Sequence, residues 1–561
     1  MTTILESTTS PSAPYPPGAE AEAGTTARRL AANALVPLAT QVVTRVLMLG
    51  YAMVQYRLLG GGRHALDEYF LAATIFMYAS TVADWGLTTL LTREAARAVG
   101  DAKGMASLFN RTLTLRAALG VVLFLPVGLY LAVYGTLFHL SAQGVWATLL
   151  LTACLLPSAL SGSVTALLYA HERMALPSAI GLLTSALNVV LGVGALLVGW
   201  GIAGLAGAAL AATLVTAALF LYVLRRDFPH LVASTRLTGL RRLKAVPAMQ
   251  ALANALRRQE MLPLLSAGWP LMLNSLLVGL FFRADQFIIR PAAGGLALEQ
   301  YNAAYSFLNF VLLISPAVTL ALFPRMARHA VSDRARLAAE YTFALRVLLV
   351  IAVPVVLLTV WFAPLLITVL TGGSDRFLPQ AAIALQILIF FLPFSFINGL
   401  TQYVLIAFDL QRLITRAFAL TVVFNVGANL LLVPVLGIYG AALTTILSEL
   451  VLMVPFLRWA RREVGRVPVV ALAARPALAG VAAGVAMWLA WPITARWSEG
   501  RSELAVYVGA ALLPLVLYAA VLYATRPFSE AEVRTLRAAL PPLSSLHPSR
   551  LLPSLLHRRN R

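Results

Sequence analysis

Apolar runs of about 20 residues recur along this chain from Leu30 to Ala524, and they constrain its fold more than any other feature. A run of this length can cross the hydrocarbon core of a bilayer as an α-helix. A helix is favoured there because it satisfies its own backbone hydrogen bonds, which lipid cannot do. Only 12% of the residues are charged and 60% are hydrophobic. The sequence therefore predicts an all-α, polytopic membrane protein.

The apolar runs predict about fourteen transmembrane helices. The predicted spans are residues 33–56, 69–91, 113–134, 145–169, 176–199, 202–224, 265–289, 301–324, 342–370, 380–407, 413–435, 438–457, 473–495 and 504–524.

The distribution of basic residues predicts the orientation. With the N-terminus inside the cell, most of the 43 Lys and Arg residues fall in segments on the cytoplasmic side. Those on the outer side are Arg57, Arg63, Arg290, Arg376, Arg496 and Arg501. Both termini are therefore expected in the cytoplasm, with the protein in a bacterial cytoplasmic membrane. The net charge of +20 is assigned to these short segments, so nucleic acid is not expected as a partner.

An internal repeat relates the two halves of the chain. Pro37 and Arg57 correspond to Pro270 and Arg290 at the same offset, and a glycine pair follows each arginine. Six spans per repeat is an even number, so both halves insert in the same direction. The repeat predicts two parallel six-helix lobes, with two further helices at the C-terminal end.

The resulting domain organisation has six parts. These are a disordered cytoplasmic tail (1–29), an N-lobe (30–224), a basic cytoplasmic linker (225–262), a C-lobe (263–458), a C-terminal helix pair (459–525) and a cytoplasmic tail (526–561).

Charged residues inside the spans are the candidate functional residues, because a charge at the bilayer centre costs about 2.5–3.5 kcal/mol. Arg45, Arg57, Arg283 and Arg290 are candidate substrate-binding residues. Arg57 and Arg290 could instead reach the membrane surface, since long basic side chains do so. A cavity lined by these arginines would suit an anionic group such as a pyrophosphate between a lipid and a sugar chain.

Two acidic residues are candidates for ion coupling. Asp84 lies in the second predicted span and Asp285 in the seventh. The chain has no nucleotide-binding loop and no catalytic motif, and Cys154 is its single cysteine. No enzyme activity, cofactor or metal site is expected.

Several segments resemble the polysaccharide flippases (Wzx-type), which belong to the multidrug/oligosaccharidyl-lipid/polysaccharide exporter superfamily. The segments are Asp84-Trp85-Gly86-Leu87, Arg283-Ala284-Asp285, Tyr301-Asn302-Ala303-Ala304-Tyr305, Phe323-Pro324-Arg325-Met326, and Asn425 and Asn429 with Gly437-Ile438-Tyr439-Gly440. The resemblance implies a flippase that moves polyprenyl-pyrophosphate-linked oligosaccharide by alternating access. It also implies membrane lipids, and polymerase or other assembly proteins, as partners.

Other interpretations stay open on the sequence alone. A lipid II flippase, or a multidrug/cation antiporter of the same fold, would share the span pattern. A major-facilitator exporter also has two parallel six-span halves, but its usual basic loop after the second span is replaced here by Arg93-Glu94-Ala95-Ala96-Arg97. A scaffold without transport activity is the alternative from a different functional class.

Overall fold

The fold is all-helical across the part of the chain that the computed structural model describes, which is residues 19–60, 66–98, 101–229, 231, 261–497, 503–530 and 532–534. Thirteen helical spans in these ranges are long and apolar enough to cross a membrane. The all-α, polytopic prediction is confirmed. The predicted eighth span, 301–324, is not among the thirteen, and falls on the consecutive helices Gly295–Val311 and Ile314–Ser332.

Twenty α-helices are numbered here in chain order within the described ranges. They are α1 (Ala19–Leu59), α2 (Leu66–Asp84), α3 (Leu87–Arg97), α4 (Ala102–Val122), α5 (Phe124–Leu137), α6 (Ala142–Ala153), α7 (Leu155–Ala170), α8 (Ala175–Leu197), α9 (Gly201–Asp227), α10 (Leu262–Arg283), α11 (Gln286–Ala293), α12 (Gly295–Val311), α13 (Ile314–Ser332), α14 (Arg334–Thr371), α15 (Gln380–Leu388), α16 (Leu392–Ala407), α17 (Gln411–Leu436), α18 (Ile438–Val464), α19 (Val469–Trp497) and α20 (Glu503–Thr525).

Several predicted spans are interrupted in the middle rather than continuous. The second span is divided into α2 and α3 at Trp85 and Gly86, whose φ angles are 49° and 72°. Glycine adopts this left-handed conformation readily, whereas tryptophan rarely does. The seventh span is divided between α10 and α11, next to Asp285. The apolar pattern did not reveal these breaks, because each predicted span is apolar enough to be read as one continuous helix.

The termini and the linker differ from their predicted boundaries or lie outside the described residues. Helix α1 begins at Ala19, which lies inside the segment 1–29 that was predicted to be a disordered tail. Residues 19–36 are rich in Ala, Glu and Arg, which favour helix. Residues 1–18, most of the linker and nearly all of the C-terminal tail lie outside the described part of the chain.

One compact unit comprises residues 1–51, 79–136 and 145–272. Its core lies among α3, α4, α7 and α9, where Phe109, Leu167, Phe220 and Leu224 are each at most 4% exposed. Close packing of the helices stabilises this core, because lipid is as apolar as the helices and the burial of apolar area therefore gives little driving force.

The second unit comprises residues 52–78, 137–144 and 273–561. Phe281, Phe418 and Phe456 pack edge to face in its core, joining α10, α17 and α18. Helices α19 and α20 pack against α14, where the Tyr518 hydroxyl donates to the Val350 carbonyl at 2.8 Å. The unit includes only the last five residues of the predicted first span, 52–56. The lobe boundaries drawn from the repeat stay predictions.

Large apolar side chains are exposed along the outer faces of several helices. On α17, Val423, Leu431 and Val435 are 72–79% exposed, and Trp488 on α19 is 74% exposed. Water would not favour such faces, whereas hydrocarbon would. The exposed faces are therefore the surfaces that meet lipid.

The packing of α18 against α17 requires that residue 440 be glycine, and this requirement can be tested. A Cβ atom at this residue would lie 2.5 Å from the carbonyl oxygen of Leu432, so Gly440→Ala should separate the two helices and lower the free energy of unfolding by about 1–3 kcal/mol. Thermal melting of the purified protein in detergent measures the effect. Gly427→Ala on α17, where the Cβ atom meets nothing within 4 Å, is the matched control. Equal melting temperatures for the two variants would contradict this packing.

Candidate functional site

Arg45 lies on an exposed face of α1 in the first unit. Its neighbours Val42, Val43 and Val46 are 42–54% exposed, so the arginine stands among apolar side chains. Arg45 makes no ion pair with any residue that the structure describes. Its charge is therefore uncompensated within this unit.

Arg57 and Arg283 belong to the second unit and both lack a carboxylate partner among the described residues. Arg57 is exposed at the end of α1, and its Nη2 donates to the Val369 carbonyl at the end of α14, at 2.7 Å. Arg283 is half-buried in the last turn of α10. Its Nη1 lies 3.4 Å from Oδ1 of Asn302, and its guanidinium carbon lies 5.5 Å from the centre of the Tyr305 ring.

Asn302 and Tyr305 fix the position of Arg283 without forming an ion pair with it. Asn302 is held in place because Gln286 also donates to its Oδ1, at 3.0 Å, and Gln286 accepts a hydrogen bond from Thr74 at 2.6 Å. A guanidinium has five N–H donors. The contacts with Asn302 and Tyr305 leave most of those donors available to an anionic ligand.

Arg290 differs from the other three candidate arginines, because it forms ion pairs with two carboxylates. Its Nε lies 2.7 Å from Oδ2 of Asp67, and its Nη2 lies 3.4 Å from Oε1 of Glu68. The arginine side chain is 12% exposed and the two acids are at most 5% exposed. Glu68 also accepts hydrogen bonds from the backbone N–H and the hydroxyl of Ser141. The sequence did not indicate this network, since Asp67 and Glu68 are distant from Arg290 in the chain.

Asp285 is buried between α10 and α11, with 3% of its surface exposed. Its Oδ2 accepts a hydrogen bond from the Tyr301 hydroxyl at 2.5 Å, and that hydroxyl lies 3.4 Å from Oγ1 of Thr445 on α18. Its Oδ1 has no hydrogen-bond partner among the residues that the structure describes. A buried carboxylate oxygen without a partner is costly in apolar surroundings, so it is a position where a proton or a cation would bind favourably.

A second set of buried polar residues reaches the same face of α18. Asn425 donates to Ser448 at 3.0 Å, and Asn429 donates to the side-chain oxygen of Asn425 at 3.1 Å. Thr445 and Ser448 are three residues apart and so share one helix face. The side-chain oxygen of Asn429 is buried and has no hydrogen-bond partner in the described part of the chain. The resemblance included both asparagines, but the sequence alone assigned them no role.

Asp84 is paired within the first unit, with an arginine that lies inside the predicted third span, residues 113–134. Arg116 lies inside α4 with 3% of its side chain exposed, and it forms an ion pair with Asp84. Thr88 donates to Asp84 at 2.5 Å, and Arg116 donates to Ser163 at 3.2 Å. A cavity of about 140 Å³ borders the pair. The sequence analysis gave Arg116 no role, since Asp84 and Arg116 lie 32 positions apart and no local pattern links them.

Two protein-family models match this chain. A family described as "Polysaccharide biosynthesis protein" matches residues 30–330, and the MatE family matches residues 270–431. No curated protein matches the chain.

Three solved structures illustrate the fold. The chain is similar to the lipid II flippase MurJ in an inward closed conformation, with a TM-score of 0.66, 12% identity, and coverage of 87% of this chain and 98% of that one. A MATE family multidrug resistance transporter of the MOP superfamily, in an inward-facing conformation, gives 0.57 at 18% identity, covering 76% and 95%. A MOP superfamily transporter from Pyrococcus furiosus gives 0.50 at 16% identity, covering 78% and 95%.

The Asp84–Arg116 pair predicts an unequal response to loss of either partner. Asp84→Ala leaves a buried guanidinium that cannot lose its charge, and should cost about 3–5 kcal/mol of stability. Arg116→Met leaves Asp84, which is 37% exposed and can be solvated or protonated, so the cost should be smaller. Thermal melting checks the order, and the double variant should be more stable than Asp84→Ala. The reverse order would contradict the assigned burial.

Proposed function

Because the chain belongs to the polysaccharide flippase family of the MOP transporter superfamily, we propose that it moves polyprenyl-pyrophosphate-linked oligosaccharide across the cytoplasmic membrane for the synthesis of cell-surface polysaccharide. Membership rests on a family match over residues 30–330, which is more than half of the chain. The protein is a multi-pass membrane transporter, and the substrate is the proposed part.

The observation that carries the substrate proposal is Arg283. It is half-buried within a membrane-spanning segment and pairs with no carboxylate among the described residues. A charged side chain inside a membrane-spanning segment usually faces a ligand or a water-filled cavity, which offsets the free-energy cost of placing the charge there. Guanidinium groups bind phosphate oxygens with two parallel hydrogen bonds, so a pyrophosphate fits the available donors.

Arg45 and Arg57 are proposed to serve the same anionic group at other stages of transport. Both are exposed and lack a carboxylate partner among the described residues. The glycan would occupy the aqueous cavity of the transporter, while the lipid tail stays in the bilayer. No single arginine is required to contact the pyrophosphate throughout.

Arg290 is proposed to alternate between two partners. In this conformation Asp67 and Glu68 hold it, in an ion pair that links α11 to the first turn of α2. Alternating access requires some contacts of each state to break. Arg290 can contribute to substrate binding only after it leaves these carboxylates, so the ion pair would hold the transporter closed until then.

Asp285 is the proposed ion-coupling residue. Its unpartnered Oδ1 and the nearby Tyr301 and Thr445 hydroxyls form a buried oxygen-rich site that could take up a proton or a small cation. Asp84 is the weaker candidate, because Arg116 already compensates its charge.

The membrane context completes the proposal. Bilayer lipids surround the protein, and a polysaccharide polymerase or other assembly proteins would receive the translocated substrate. Both termini are proposed to lie in the cytoplasm, on the basis of the positive-inside distribution. Lipid II also carries a pyrophosphate, so a lipid II flippase is the principal alternative, and a cation antiporter of the same fold is the next.

Removal of the gene from its host tests the proposed function. Polyprenyl-pyrophosphate glycans should accumulate and surface polysaccharide should be lost, as measured by mass spectrometry of extracted lipids and by quantification of the polymer. Accumulation of lipid II instead would support the principal alternative. Unchanged lipids with intact polymer would contradict the proposal.

Complementation of that strain tests Arg283. Arg283→Ala should reduce polymer about 10- to 100-fold, because a hydrogen bond to a charged group contributes about 1.5–3 kcal/mol. Arg283→Lys should restore part of the activity, since it keeps the charge without the planar fork. Arg336→Ala, which removes a surface ion pair with Asp333, is the matched control. Full activity of Arg283→Ala at normal expression would contradict the assigned role.

Asp285→Asn tests ion coupling in vesicles that contain the purified protein and a lipid-linked oligosaccharide. An imposed proton or sodium gradient should accelerate transport by the natural protein but not by the variant, whose gradient-independent exchange should persist. Asp375→Asn, at an exposed position of the same unit, should respond like the natural protein. If Asp285→Asn responded to a proton or sodium gradient as strongly as the natural protein, Asp285 would be removed from the coupling site.

A further inference from the structure

A pocket of about 520 Å³ lies where α18 ends and α19 begins, apart from the residues discussed above. Its walls are mainly apolar, with Leu457, Val469, Val470 and Ala474 among them, and Tyr341 of α14 is buried beside it. The Tyr341 hydroxyl is engaged in a hydrogen bond with Thr401 at 2.7 Å. The interior of the pocket therefore offers an apolar surface rather than polar partners.

Two arginines supply the polar part of this pocket. Arg461 is in the last turn of α18, and Arg466 follows the chain reversal at Gly465, whose φ is 91°. Both are exposed, and neither forms an ion pair with a residue in the described ranges. The nearby acid, Glu463, lies 3.6 Å from Arg334 instead. The pocket thus combines uncompensated positive charge with apolar walls.

The position of the pocket places it at the membrane surface. It lies between the end of one membrane-spanning helix, Ile438–Val464, and the start of the next, whose span begins at Val469. Val470, in the first turn of α19, is 85% exposed and continues the apolar wall towards the faces that meet lipid. A ligand here would have its polar end at the interface and its apolar end along α19.

We propose that this pocket binds an anionic glycerophospholipid of the surrounding bilayer. The phosphate contacts Arg461 and Arg466, and an acyl chain lies against Val469, Val470 and Ala474. Basic pockets between helix ends at a membrane surface select anionic headgroups in this way. A soluble anion would not use the apolar walls, and a volume of 300–1,000 Å³ is typical of a site that encloses much of its ligand.

The bound lipid would act on the two C-terminal helices. Helix α19 packs against α14 near Ala479 and Ala483, and the pocket touches both helices at one end of that contact. A lipid in the pocket would stabilise α19 against α14. This site does not depend on which substrate the protein transports.

Binding is measured on the purified full-length chain, by the rise in melting temperature as phosphatidylglycerol is added in detergent. The natural protein should be stabilised by phosphatidylglycerol, and not by phosphatidylcholine or inorganic phosphate at the same concentrations. Arg461→Gln with Arg466→Gln should raise the apparent dissociation constant about 25-fold, because each basic residue near an anionic surface contributes about a factor of five.

Two further variants separate the pocket from general charge and folding effects. Arg458→Gln with Arg462→Gln removes the same charge from α18 outside the pocket, and should leave the dissociation constant within about threefold of the natural value, as expected for surface charges. Ala474→Trp should block the apolar wall and weaken binding with all the arginines present. Equal losses in the two double variants, or stabilisation by inorganic phosphate alone, would overturn the proposal, as would undiminished binding after Arg461 and Arg466 are both replaced.

Discussion

The inability of hydrocarbon to solvate charge or to pair with the backbone governs this structure. It explains why the chain is helical throughout its described ranges and why its apolar side chains face outward. It also gives each buried polar group a cost that some partner must offset. Arg116 meets this requirement with Asp84, and Arg290 with Asp67 and Glu68. Arg283 does not meet it with a carboxylate from the described chain, which makes it the informative exception.

The ion-pair and hydrogen-bond partners that residues have inside the membrane also distinguish residues that look alike in the sequence. Asp84 and Asp285 both occur as single acids within apolar spans, but Asp84 has an arginine partner and Asp285 has a tyrosine and one unpartnered oxygen. The ion pair between Asp84 and Arg116 links α2 to α4, as a structural contact does. At Asp285, by contrast, the unpartnered carboxylate oxygen can still bind a proton or a cation. Arg283 and Arg290 are only seven positions apart in the chain. Most N–H donors of the Arg283 guanidinium are available to a ligand, whereas the guanidinium of Arg290 is held in an ion pair with Asp67.

Hydropathy was sufficient to predict the all-α class and nearly all of the spans, because bilayer thickness sets helix length directly. It could not predict the break at Trp85–Gly86, which depends on backbone angles rather than on polarity, and it did not show the division between α10 and α11 near Asp285. The ion pair of Arg116 with Asp84 was also missed, since the two residues lie in different predicted spans. The Arg290–Asp67 contact links residues 223 positions apart, which no local pattern encodes. The roles of the four arginines in substrate binding stay predictions.

The most direct measurement of the central claim is transport by the purified protein in liposomes. Lipid-linked oligosaccharide with a fluorescent sugar would be placed in both leaflets, and an impermeant reagent would report the fraction that reaches the outer surface. The account predicts that the natural protein moves the polyprenyl-pyrophosphate substrate, and that Arg283→Ala moves it far more slowly. Equal movement of a polyprenyl lipid without the pyrophosphate, or equal rates for Arg283→Ala and the natural protein, would contradict the account.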